Sequence, residues 1–241
     1  MTGTNTFTTI GEIVAADFRT AAVFQRHQID FCCQGARTIE RGYREAGVDA
    51  TDVLREIDEV RSQGSNGAPW FNTWGLPTLI DYIVANHHEY GRQQLALIVP
   101  HSRRIADAHG NRHPELRRVA ELVVEIADEM TAHMVKEEHV LFPYIAQLAE
   151  AAAARRPAPR APFGSVDSPI RVMEAEHESA GRAMLEIREL TDGFVPPPDA
   201  CTTYRVCLQE LDAFEQDLHA HVHLENNILF PKASALEAAG R

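Results

Sequence analysis

Two histidine–glutamate pairs at i, i+4 spacing, His133 with Glu137 and His221 with Glu225, stand 88 residues apart in matching surroundings. Leu141, Phe142 and Pro143 follow the first pair, and Leu229, Phe230 and Pro231 follow the second. Residues four apart lie on one face of an α-helix, so each copy aims an imidazole and a carboxylate at one point. A segment with a lone aligned histidine precedes each copy. Asn86-His87-His88-Glu89 puts His88 45 residues before His133, and Glu176-His177-Glu178 puts His177 44 residues before His221. The repeat unit is therefore a pair of helices, used twice.

Four imidazoles and two carboxylates suit a binuclear iron or manganese centre inside a four-helix bundle, with the carboxylates bridging the ions. One zinc ion has no use for six ligands. Each ion would take two histidine nitrogens and one oxygen from each glutamate. About one position per ion then remains for an oxo or hydroxo bridge, and about one more for a diatomic ligand. A single His-x-x-x-Glu is common on helix surfaces, but here the apolar periodicity supports an inward face. Ile126, Met130, Val140 and Leu141 share the side of His133, while Phe214, Leu218, Leu224, Ile228 and Leu229 share that of His221. An unpaired carboxylate on such a stripe costs several kcal/mol, a cost that metal coordination offsets.

The elements that must hold these residues read as helices throughout. The fold class is all-α: a small N-terminal helical domain over 1–61, a linker over 62–75, and a four-helix bundle over 76–241. Thr9 and Glu12 form a capping-box pattern, and 52–60 continues at helical spacing. Residues 62–69, rich in Gly, Ser, Asn and Pro, are turn chemistry. The first bundle helix opens at Leu76-Pro77 and runs through His88 toward Ala108, with Pro100 as a kink or an end. The second runs from Leu116 to about Ala152, and the Pro/Ala/Arg stretch 155–162 forms an exposed crossover. The third spans about Ser168 to Leu190, and the fourth runs from about Asp199 through Pro231.

At 241 residues and 44% hydrophobic, the chain is long enough for one bundle and a small appendage. A formal charge of −12 argues against nucleic acid or an anionic membrane surface as partner. No stretch approaches the ~20 apolar residues of a membrane span, and the first six residues lack the basic and apolar regions of a signal peptide. The expected location is cytoplasmic, and a homodimer stays open.

None of the four cysteines falls in a C-x-x-C pattern, which argues against a structural zinc site. Cys201 and Cys207 read as small buried hydrophobes. Cys32 and Cys33, adjacent and close to Gly35, are candidates for soft-metal binding, redox exchange or nitrosation.

The Asp30-Phe31-Cys32-Cys33-x-Gly35 segment, followed by His88, His133-x-x-x-Glu137, His177 and His221-x-x-x-Glu225, resembles the RIC family, hemerythrin-like di-iron proteins for repair of iron centres. The likeness covers nearly the whole chain. It implies a hemerythrin-like bundle with two non-haem irons, oxo- or hydroxo-bridged and carboxylate-bridged. It also implies a role in recovering iron–sulfur clusters damaged by nitric oxide or oxidants, with damaged iron–sulfur proteins and NO or O₂ as partners. Some members are proposed to reduce nitrogen oxides at the iron site. A binding or sensing protein that holds NO or O₂ without turnover is the alternative; the cysteine-bearing domain favours repair.

The resemblance places terminal ligands at His88, His133, His177 and His221 and bridges at Glu137 and Glu225. Periodicity alone lets either His87 or His88 face inward; similarity through Arg92 to Leu95 selects His88. Ordinary hemerythrins use a fifth histidine, so four imply a more open site. His139 and His223 lack counterparts in the other copy and read as solvated, or as neighbours of a ligand. Repeat symmetry makes Glu129, four before His133, and Asp217, four before His221, candidate acceptors for ligand ring N–H groups. Glu176 is a candidate for a proton or solvent path. The alternative for all three is an ordinary helix-surface acid.

Overall fold

A computed structural model describes residues 9–62 and 70–240, and residues 63–69, most of the segment expected from sequence to turn, lie outside them. Among the described residues the regular structure is helical, with a single isolated bridge between Thr9 and Thr38. Four short helices come first: α1 (Ile10–Ala16), α2 (Ala21–Arg26), α3 (Ile39–Ala46) and α4 (Ala50–Ser62). The capping box of α1 is formed: Thr9 Oγ1 accepts the Glu12 N–H at 3.2 Å, and the Glu12 carboxylate accepts the Thr9 N–H at 2.9 Å.

Four long helices follow: α5 (76–109), α6 (115–153), α7 (Asp167–Leu190) and α8 (202–240). Three of them contain one widened π-turn, at Val84–His88, Glu137–Leu141 and Glu225–Leu229. Such turns insert one extra residue and cluster at functional sites. They also explain two prolines. Pro143 and Pro231 lie in the first turn after a π-segment, where a missing N–H is tolerated, so α8 continues past Pro231 to Gly240. Pro100 does not end α5: it and Ala96, whose carbonyl loses its partner, both face solvent. The inserted residue also resets the apolar phase. Val140, expected on the inner face with His133, is 48% exposed, whereas Leu141 is buried.

Two apolar clusters fill the molecule. One holds Leu95, Val123, Met130, Ala180 and Leu218, and the N-terminal Ile10, Phe24, Phe31 and Ile57 belong to the same continuous core. The other holds Ile83, Leu141, Met173, Leu224 and Phe230. Each long helix runs from one cluster to the other, and its candidate ligands sit at the crossing. The crossover after α6 is pinned to it, since Tyr144 donates to the Pro159 carbonyl at 3.1 Å. Among the described residues no helix is long and apolar enough to cross a membrane.

Candidate metal centre

His88 from α5, His133 and Glu137 from α6, His177 from α7, and His221 and Glu225 from α8 converge in the bundle interior, all buried. Their side chains form two overlapping groups of possible ligands. His88, His221, Glu137 and Glu225 make one; His133, His177, Glu137 and Glu225 make the other. The Nε2 atoms of His88 and His221 are 3.2 Å apart, and those of His133 and His177 are 3.0 Å apart. Glu137 Oε2 lies 3.3 Å from His88 Nε2 and 3.2 Å from His133 Nε2. Glu225 lies 3.0 Å from His221 Nε2 through Oε1 and 3.1 Å from His177 Nε2 through Oε2. Each carboxylate therefore touches both groups.

Buried acceptors crowd this small volume. Both Glu137 oxygens and Glu225 Oε2 are buried and receive no aligned hydrogen bond. Three rings are anchored from outside through Nδ1: His88 on Glu138 at 2.7 Å, His133 on Glu176 at 3.0 Å and His177 on Asn226 at 2.9 Å. An acceptor at Nδ1 keeps the proton there and turns an Nε2 lone pair inward. The donor set fits cations of the iron class, two imidazoles and two carboxylates to each position.

The electrostatics show the same demand for positive charge. Burial opposes protonation of His88, yet Glu137 and Glu225 raise it to about 10. Burial opposes charge on His133 too, and Glu137 foremost raises it to about 9. Burial pushes Glu225 up, but His221, His177 and His88 together hold it well below the usual carboxylate range. Without cations, protons on the imidazoles do part of the work of neutralising two buried carboxylates.

Two of the proposed acceptors stand elsewhere. Glu129 is exposed on α6: Met130 takes the inward position, and the His133 ring turns toward α7, where Glu176 holds it. Asp217 reaches across to His87 Nδ1 at 2.8 Å instead of holding His221. His87 in turn lies flat against the His221 ring, with centroids 5.7 Å apart and planes at 9°. His139 is exposed, but His223 is fully buried between Phe18 and Phe31, not solvated. Cys201 is exposed beside His109 at the start of α8, while Cys207 is buried.

Sequence reasoning passed over Glu138 and Asn226. Their signal was positional, since each directly follows the glutamate of its His-x-x-x-Glu pair. Lys136 and Arg92 were also missed; Lys136 pairs with Glu176 and Arg92 with Glu138. Burial works against the charge on Glu138 and Glu176, but Arg92 with His88 and Lys136 with His133 hold the two acids below their ordinary range.

The hemerythrin HHE cation binding domain matches residues 79–233, and a domain of unknown function (DUF542) matches residues 6–61. The chain therefore belongs to the hemerythrin HHE family, whose cation site in this bundle is of the non-haem iron type. Among its relatives is the iron-sulfur cluster repair protein YtfE of Pectobacterium atrosepticum, 33% identical over 224 residues that span 93% of this chain and 95% of the relative. YtfE of Enterobacter sp. is 32% identical over 228 residues, 95% of this chain and 97% of the relative.

Proposed function

We propose that the protein is a di-iron protein for repair of iron–sulfur clusters damaged by nitric oxide or oxidants. The observation that carries the di-iron part is the sharing of Glu137 and Glu225 by two otherwise separate histidine pairs. His88 with His221 would hold one ion, His133 with His177 the other, and the two glutamates would bridge them. The bound irons would supply exchangeable metal and open positions for a diatomic ligand such as NO or O₂. The chain's own contribution is to aim the Nε2 atoms inward, through the anchors at Glu138, Glu176 and Asn226, and to keep the glutamates dry.

Repair is supported by the names of the relatives and by a cysteine-bearing N-terminal unit that shares a core with the bundle. Damaged iron–sulfur proteins are the proposed clients, with the cytoplasm as the proposed site of action. The test is recovery of a nitric-oxide-damaged iron–sulfur enzyme by iron-loaded wild-type protein, compared with Cys32→Ser/Cys33→Ser at equal iron loading. Two irons per chain and recovery that falls in the double variant are expected. One zinc per chain would remove the di-iron reading, and no recovery with wild type would remove repair.

A further inference from the structure

The loop between α2 and α3 brings two thiols and a carboxylate to one point. Cys32 Sγ and Cys33 Sγ are 3.8 Å apart, both free, and Asp30 Oδ1 lies 3.3 Å from Cys32 Sγ. Two thiolates on a tetrahedral ion, each about 2.3 Å from it, stand about 3.8 Å apart by simple trigonometry. The thiols thus already have the spacing of a bidentate ligand. Asp30 Oδ1 also accepts the N–H groups of Cys32 and Cys33, each at 3.0 Å, which holds the loop in this shape. That turn accounts for one carboxylate oxygen. It does not account for two thiols side by side on a cavity of about 430 Å³ with Glu174 and Glu178 in its wall.

The loop is also fastened to the metal centre's own framework. Asn227 Nδ2 donates to the carbonyls of Phe31 at 3.3 Å and Cys32 at 3.0 Å. Its neighbour Asn226, which holds the His177 ring, lines the same cavity as the two thiols. Ideal β-carbons built on Gly11 and Gly35 would come within 2.3 and 2.2 Å of Asn227 Oδ1, so only glycine at both positions admits this amide.

We propose that Asp30, Cys32 and Cys33 form a second metal site, separate from the bundle centre, for a single thiophilic divalent cation such as iron(II). Binding releases both thiol protons to solvent and leaves a fourth position open toward the cavity, where a ligand or a client's thiolate can enter. Cys32 is buried and Cys33 partly exposed, so Cys33 is the residue that meets the incoming ion. As a station for iron in transit the site rests on the repair reading; the binding itself does not.

Cobalt(II) alone, added to the reduced, iron-loaded full chain, reads the site through sulfur-to-cobalt charge-transfer absorption, which the imidazoles and carboxylates of the bundle cannot give. One equivalent with that absorption is expected. Cys32→Ser/Cys33→Ser should lose it with iron content unchanged. Asp30→Asn keeps an acceptor for the two N–H groups and should bind at least about tenfold more weakly, since even supporting carboxylates contribute that much. No sulfur band in wild type, a band that survives the double variant, or unchanged affinity in Asp30→Asn would each overturn the site. Cobalt binding with unimpaired cluster recovery in the double variant would keep the site and remove its transit role. A failed cobalt titration beside impaired recovery would remove the site and leave repair standing.

Discussion

At the His88–His221 position of the centre, one ring is held through Nδ1 by Glu138 while the other lies flat against His87. At the His133–His177 position both rings are held through Nδ1, by Glu176 and by Asn226. The supports nevertheless come from matching places in the two repeats. The residue after each shared glutamate, Glu138 or Asn226, holds the lone histidine. The residue before each lone histidine, His87 or Glu176, attends the histidine of a His-x-x-x-Glu pair. Repetition preserved the positions and let the chemistry diverge: carboxylate against amide in one exchange, stacked imidazole against carboxylate in the other. The difference bears on basicity, because a carboxylate behind an imidazole strengthens its donor nitrogen more than an amide does.

The largest effect should come from removing what the two positions share. Glu137→Ala and Glu225→Ala should each abolish paired metal binding, whereas His88→Ala should impair one position and leave His133 with His177 able to hold metal. His139→Ala, at an exposed site, should leave metal content unchanged. Metal-to-protein ratios on the four variants decide it; equal losses from a glutamate and from His139 would break the assignment.

A smaller effect separates the anchors. Glu138→Gln and Glu176→Gln should each lower metal affinity about 10- to 100-fold. Asn226→Leu, which removes a neutral acceptor, should cost less than either. Competition with a chelator measures all three, and a loss in Asn226→Leu as large as in Glu138→Gln would mean that charge behind the ring does not set the difference.

The smallest effect concerns His87 and Asp217. His87→Ala should keep both metals but shift the absorption bands, because it removes a ring stacked on His221 without removing a donor. Asp217→Asn should shift them less. Loss of metal in His87→Ala would promote that residue to a ligand.

Much of this was legible before any coordinates. The two His-x-x-x-Glu pairs and their upstream histidines carry both the helical spacing and the repeat, and Thr9 with Glu12 announces its own cap. The neighbours of the ligands were harder to read. Counting by four placed Glu129 behind His133, but the ring turns toward another helix, and contacts between helices have no fixed sequence separation. Val140 was misplaced for a local reason: its π-turn adds a residue that an ideal period of 3.6 does not count. His223 shows no sign in its own helix of the Phe18 and Phe31 side chains that enclose it from the N-terminal segment.

The amide at Asn227 and the missing side chains at Gly11 and Gly35 are one fitted part distributed over three places in the chain. Neither half of the protein can be exchanged freely for that of a relative. A grafted N-terminal segment with alanine at either glycine would ride up on the amide and carry Cys32 and Cys33 away from the bundle. A grafted bundle without the amide would leave the carbonyls of Phe31 and Cys32 without that donor. Chimeras of such proteins should therefore be cut so that all three residues come from the same parent.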